Sequence, residues 1–381
     1  MRSPLPIPFG WFAVGYAEEV AAGAVCVIER FADPFVLWRG DDGRVRALDP
    51  YCPHLGAHLG HGGKVVGNDL QCPFHHWQLN GEGGVTAIPY TPLVPAVLRR
   101  SCTGSRPVTE KHGILYAWYH PRRAAPLWQV ASVPELESGA WERFERRDWV
   151  IPIHPQEITE NGMDYQHFPT VHGTKSPPES QWTIDGYTRE SRVHTKMATP
   201  RGLVDGLIHS RATGPGQSFV RFGGIAELLV VNLPTPVDQG TTHLRQDFYR
   251  PRGQEAGQDK ASAAVARNII FQLEQDIPIW THKRFEPVPK LVKGDGPIMA
   301  YRRSYAQYYV TEPVGGPVPA KARTRSPKQP TAKAPAARKA ARKAAAKPAA
   351  KAAAPKASRG TGTVRKAERR KAAPKKPARR R

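Results

Sequence analysis

Cysteine is scarce in this chain. Four occur in 381 residues, Cys26, Cys52, Cys72 and Cys102, too few for the disulfide framework of a small secreted scaffold. Metal ligation becomes the reading to test, and a reducing cytoplasm the expected compartment. Long apolar runs are missing as well. No uninterrupted stretch of about 18 apolar residues occurs, so no segment reads as membrane-spanning. The opening MRSPLPIPFGWFAVGYAEEV meets its first acids without the apolar core of a secretory signal. Acid is nearly absent from the C-terminal end. Between Pro313 and Arg381 stand 23 Lys or Arg and a single acid, Glu368, whereas residues 1–312 hold 33 basic and 32 acidic residues. The formal charge of +23 therefore belongs to the tail, and the folded part is close to neutral. The tail also lacks large apolar side chains, so it cannot repay the entropy of ordering. Disorder is expected over 313–381, with either a solubilising role or non-specific nucleic-acid contact through phosphate charge.

Two short patterns carry chemistry in the first third. CPHLGAHLG contains Cys52-x-His54 and CPFHHW contains Cys72-x-x-His75, with seventeen residues between His54 and Cys72. Two thiolates and two imidazoles match a tetrahedral zinc site in type. The spacing suits something else: two tight loops, each offering one ligand of each type to two adjacent metals, as where two His replace two Cys on one iron of a [2Fe–2S] centre. The flanks read as strands, VLWRGDDGRVRALD as two around a Gly-Asp turn and GILYAWY as a closing one. His58, His61 and His76 read as loop histidines bonded to backbone or water. Cys26 reads as a small buried hydrophobe at the start of a strand, and Cys102 has no evident partner.

A second pattern is MDYQHFPTVHG, Met163 to Gly173. Asp164 and His167 are three apart and would share a helix face. His167 and His172 are five apart and would not, but a helix ending near Phe168, ahead of Pro169, would let both rings approach one point. Non-haem Fe(II) that activates O2 is held by two His and one carboxylate with positions left open. The carboxylate is expected in VARNIIFQLEQDIPIWTHKRF, read as a helix with Val265, Ile269, Leu273, Ile277 and Trp280 on an apolar stripe. Asp276 falls on that stripe, where a carboxylate is costly unless paired with an Arg or bound to metal. Glu274, on the other side, reads as solvated.

The pattern C-x-H-x17-C-x-x-H, with Pro53 and Pro73 after the cysteines, resembles the cluster motif of Rieske non-haem iron oxygenases. The resemblance implies that Cys52 and Cys72 hold one iron and His54 and His75 the other. Asp-x2-His-x4-His resembles the mononuclear iron motif of the same family. It implies His167, His172 and Asp276 as ligands, Asp164 as an electron bridge rather than a ligand, and Asn161 beside it in the catalytic set. His76 departs from the family pattern, which more often has a small or acidic residue there. Together with IPYT, ENGMDYQHF and GDGPIMAYRRSYAQYYV, the motifs run collinearly from about residue 8 to 310 and look like the sterol branch, which includes cholesterol 7-desaturases and 3-ketosteroid 9α-hydroxylase oxygenase subunits.

The expected architecture is α+β. An all-β Rieske domain spans 1–120, a catalytic iron domain of antiparallel sheet and helix spans 121–312, and the basic tail follows. GGIAELLVVNLPTPVDQGTTHLRQDFYR reads as two strands joined at VDQGTT. The implied activity is that of a terminal oxygenase, a monooxygenase or desaturase of a sterol-like substrate that uses O2. Another aromatic or polycyclic substrate, or a Rieske electron carrier without catalysis, are the alternatives. No G-x-G-x-x-G fingerprint follows a strand and no plant-type ferredoxin cysteine set occurs. Electrons from NAD(P)H must then come through a separate reductase or ferredoxin. Oxygenases of this type form closed head-to-tail rings, so a homotrimer is expected. His194, His209, His243 and His282 receive no role.

Overall fold

The computed structural model describes residues 3–173, 182–199, 202–224 and 226–310. Ten short strands come first: β1 (Gly10–Tyr16), β2 (Val25–Ile28), β3 (Phe35–Arg39), β4 (Val45–Leu48), β5 (Lys64–Val66), β6 (Asp69–Gln71), β7 (Gln78–Leu79), β8 (Val85–Ala87), β9 (Val108–Lys111) and β10 (Ile114–Tyr119). They build three antiparallel sheets, ordered β1-β10-β9, β2-β3-β4 and β5-β6-β7-β8. The two strands expected around the Gly-Asp turn are β3 and β4, and GILYAWY is β10.

β3 explains why FVLWR is a continuous apolar run. Successive strand side chains point to opposite faces, and here both faces are buried. Val36 and Trp38 enter the core that also holds Cys52 and Cys72. Phe35 and Leu37 enter a second core with Phe12 and Leu115. Each such large side chain, fully removed from water, contributes roughly 1.5–3 kcal/mol.

The second part begins with α1 (Pro134–Glu137), β11 (Trp141–Ile151), α2 (Pro155–Glu160) and α3 (His167–Val171). β12 (Trp182–Asp185), β13 (Thr188–Thr199), β14 (Gly202–Thr213), β15 (Gln217–Gly223), β16 (Leu228–Pro236) and β17 (Thr242–Pro251) follow, and then α4 (Ala256–His282) and α5 (Ile298–Tyr305). β11 to β17 form one antiparallel sheet of order β11-β17-β16-β15-β14-β13-β12. β16 and β17 are the pair expected on either side of VDQGTT.

β16 is a partition. Leu229, Val231 and Leu233 pack with Trp11, Tyr116 and Trp118 of the first part. Leu228 and Val230, on the other face, pack with Ala266 and Ile270 of α4. The two expected domains thus share a core, and the described residues form one compact unit. The weld includes a buried ion. Tyr16 Oη donates to Asp247 Oδ1 at 2.9 Å, and Arg146 Nε donates to the same oxygen at 3.1 Å.

Two local expectations need correction. No helix runs through Asp164 and His167. α2 ends at Glu160, a 3₁₀ turn covers Asn161–Met163, and Asp164 is extended (φ −88°, ψ 95°). α3 begins at His167, so Pro169 lies in its first turn. There the N–H groups have no partner within the helix, and a residue lacking one is tolerated. The break precedes His167 instead of following it. The buried line of α4 is also displaced: Ser262, Ala266, Ile270, Asp276 and Trp280 are buried, while Val265, Ile269, Leu273 and Ile277 are half-buried beside them. The expected disorder of 313–381 lies outside the described residues.

Candidate metal centres

The two cysteine motifs fold into matching loops. The Cys52 amide donates to Ala57 O at 2.9 Å and the Cys72 amide to Trp77 O at 2.8 Å, each closing a loop at the fifth residue. Within each loop the fourth residue donates back to the cysteine carbonyl, Gly56 at 3.0 Å and His76 at 3.2 Å. Both sit in the left-handed region, Gly56 at φ +75° and His76 at φ +59°. His76 thus occupies a turn position that favours glycine, which fits its reading as a loop histidine.

The four sequence-chosen residues meet in two pairs, cysteine with cysteine and histidine with histidine. Cys52 and Cys72 are buried. Burial first, and then the adjacent Cys72 thiol, pushes the Cys52 thiol up to about 11, while the His54 and Leu55 amides point at its sulfur and oppose that rise. The His54 and His75 rings are 4.7 Å apart, and His54 stacks on Trp77 at 4.3 Å. Trp77 is held in turn by a 2.7 Å bond to Tyr90. Nδ1 of His54 is buried with no hydrogen-bond partner. Thiol facing thiol and imidazole facing imidazole, with a ring nitrogen left unsatisfied, fits a two-iron cluster divided between the pairs better than one tetrahedral zinc. His58 turns its Nδ1 to the Gly60 amide at 3.1 Å, and its ring lies tilted against that of His61 at 4.4 Å.

The second cluster lies between α3 and α4. His167, His172 and Asp276 each offer a donor atom, and these lie within 4.8 Å of one another. The His rings, at opposite ends of the five-residue α3, are 4.9 Å apart. His172 Nε2 is 3.5 Å from Asp276 Oδ2. Asp276 is 5% exposed, and burial pushes its carboxyl up while His172 and His167 pull it back. Among the described residues its partners are His172 and Asn161 rather than an Arg. Asn161 Nδ2 donates to Asp276 Oδ2 at 2.9 Å and lies 3.1 Å from His167 Nε2. Two imidazoles and a carboxylate with their donor atoms this close fit a non-haem iron.

Asp164 is half-buried. Its contact to this cluster is through the backbone: its carbonyl accepts from His167 Nδ1 at 2.5 Å. The residue that sequence reasoning missed is Gln275, whose Oε1 lies 3.1 Å from His172 Nδ1. Its adjacency to Asp276 was the available signal. Glu274 is exposed as expected. His209 is paired to Glu190 at 2.8 Å, His243 lies 3.3 Å from Asp148, and His282 bonds to Pro278 O at 2.8 Å. Cys26 is half-buried rather than buried, its thiol 3.9 Å from the Glu19 carbonyl, and the Cys102 thiol donates to the Leu98 and Arg100 carbonyls at 3.3 Å.

Comparison with known proteins gives the same division. Residues 10–97 match the Rieske [2Fe-2S] domain, and residues 117–309 match the 3-ketosteroid 9alpha-hydroxylase C-terminal domain. Cholesterol 7-desaturase nvd of Bombyx mori is 29% identical over 331 residues, covering 81% of this chain and 71% of the relative. The oxygenase component of a 3-ketosteroid-9-alpha-monooxygenase of Rhodococcus rhodochrous is 29% identical over 321 residues, covering 79% and 82%. Among solved structures, dicamba monooxygenase bound to dicamba superposes with a TM-score of 0.62 at 20% identity, covering 78% of this chain and 96% of that one. NdmB of Pseudomonas putida CBB5 gives 0.61 at 17%, covering 77% and 88%. With a Rieske domain followed by that catalytic domain, this chain belongs to the Rieske oxygenases of the 3-ketosteroid 9α-hydroxylase family and is an oxidoreductase.

Proposed function

We propose that the chain is the terminal oxygenase of an O2-dependent monooxygenase or desaturase acting on a sterol- or steroid-like substrate. The observation that carries this is the presence in one chain of both donor sets, the Cys52/His54/Cys72/His75 loops and the convergent His167, His172 and Asp276. When bound, the cluster supplies electrons singly and the iron supplies O2 activation. The chain's own groups do the rest. Cys52 and Cys72 would hold one cluster iron, and His54 and His75 the other. His167, His172 and Asp276 would hold the mononuclear iron, with Asn161 fixing the carboxylate. Asp164 would serve as the electron bridge between the two centres.

The substrate class is supported by the relatives, a cholesterol 7-desaturase and a 3-ketosteroid-9-alpha-monooxygenase by name. The wording "oxygenase component" supports a separate reductase or ferredoxin that brings electrons from NAD(P)H. The domain limits 1–120 and 121–312 are supported by the matches at 10–97 and 117–309. No helix among the described residues is long and apolar enough to cross a membrane, and the four cysteines are unpaired. Both support a cytoplasmic setting. The charge of the basic tail supports either a solubilising role or non-specific nucleic-acid contact.

The chain works as a homotrimer in which the cluster of one subunit serves the iron of the next. Leu55, 66% exposed, and Phe74, 61% exposed, each sit beside one ligand pair. Apolar surface there suits a protein interface. Co-assembling a His167→Ala chain with a Cys72→Ser chain tests this: partial recovery of turnover is expected, and silence from folded mixed oligomers overturns the intersubunit path. The activity itself is tested by turnover of a sterol panel with a surrogate reductase, products identified by mass. A gain of one oxygen reads as hydroxylation and a loss of two hydrogens as desaturation. Turnover of aromatic substrates alone would overturn the substrate class.

A further inference from the structure

The imidazole of His172 can bind a metal through Nε2 only in the tautomer that carries its proton on Nδ1. In that tautomer Nδ1–H must donate. The group it meets is Oε1 of Gln275, at 3.1 Å. Gln275 precedes Asp276 on α4, so one helix delivers both the carboxylate and the acceptor that faces the second histidine. His167 is treated differently. Its Nδ1 meets the backbone carbonyl of Asp164 at 2.5 Å, an acceptor supplied by the main chain. His172 alone depends on a side chain.

We propose that Gln275 is a positioning residue: it fixes the tautomer and ring plane of His172 so that Nε2 faces Asp276 and the metal. The inference rests on the iron reading of His167, His172 and Asp276. An amide in this place has a physical reason. It accepts as a carboxylate would, yet leaves Asp276 the one formal charge of the donor set, so the centre carries a single positive charge with Fe(II). Removing a group that orients a metal-binding histidine typically weakens metal binding by roughly 10- to 100-fold.

The test is titration with Co(II) of protein whose cluster is intact and whose mononuclear iron has been removed, read by the ligand-field absorption of Co(II). Gln275→Met keeps length and helix preference but lacks the acceptor. It should bind Co(II) roughly 10- to 100-fold more weakly, with the Rieske spectrum and circular dichroism unchanged. Gln275→Glu keeps an acceptor and should bind at least as tightly as the wild type. A Met variant within about threefold of the wild type, well short of that range, overturns the proposal. If the Met variant does not fold, the Glu variant decides, and binding about tenfold weaker overturns it. Failure of the underlying reading is distinguishable: Asp276→Ala and His172→Ala would then bind Co(II) as the wild type does.

Discussion

Asn161 donates its amide to Oδ2 of Asp276 at 2.9 Å across 115 residues of chain. The bond ties the 3₁₀ turn after α2 to the buried side of α4. It also sets the carboxylate oxygen that faces His172. Asn161→Ala removes one donor from a buried carboxylate, which costs about 1–3 kcal/mol when a charged partner is left short. Turnover should fall by at least about tenfold and mononuclear iron should dissociate more readily. Metal analysis after dialysis checks this; unchanged iron and turnover would leave Asn161 without a role.

Asp164 holds His167 with its main chain, so changing its side chain leaves that bond in place. Asp164→Asn should therefore keep about three irons per chain, two in the cluster and one mononuclear. It should also lose most steady-state turnover. Iron analysis and turnover with excess reductase separate the outcomes. Loss of the mononuclear iron would contradict an electron-bridging role.

Asp247 is fully buried between Tyr16 of β1 and Arg146 of β11. The Arg146 guanidinium also lies 3.2 Å from the centre of the Tyr16 ring. Breaking such a group by removing one member leaves the other uncompensated and typically costs about 3–5 kcal/mol. Asp247→Ala should lose that much in urea unfolding followed by tryptophan fluorescence, whereas Asp247→Asn, which keeps a hydrogen-bond acceptor, should lose less.

His154 is buried and caps α2, its Nδ1 accepting from the Gln156 amide and its Nε2 facing Pro6 O, both at 3.1 Å. Burial holds its imidazole down at about 4, against an ordinary value of 6.5. The native state keeps it neutral while the unfolded chain takes a proton below about 6.5. Its contribution is therefore complete above about 6.5 and is lost as pH falls to about 4, up to about 3 kcal/mol. Unfolding curves across that window should show the slope, and His154→Asn should flatten it.

The donor pairs within each loop were legible because they are spaced by local backbone geometry. Cys52 and His54, or Cys72 and His75, are separated by one tight turn each, and the glycines and prolines beside them announce it. The strands around them were legible for the same reason: β3, β4, β10, β16 and β17 are runs of β-formers bounded by turn residues. The break near His167 was visible as a proline but misplaced. Pro169 is equally compatible with ending a helix before it and with starting one around it, and only the contacts of the flanking chain select between them.

The amino-acid order alone named the Cys52/His54, Cys72/His75 and His167/His172 pairs and the confinement of charge to the tail, because each depends on neighbours a few residues away. The tertiary structure decided which residues those donors meet. Asn161, not an arginine, reaches Asp276. Gln275 reaches His172. β16 places one face against the first sheets and the other against α4, which turns the helix so that Ala266, Ile270 and Asp276 point inward. Asn161 and Asp276 are 115 residues apart, and helical periodicity can name a face only to within about one residue. Packing against a particular sheet removes that freedom, since one rotation of α4 buries its small and apolar side chains with the fewest voids.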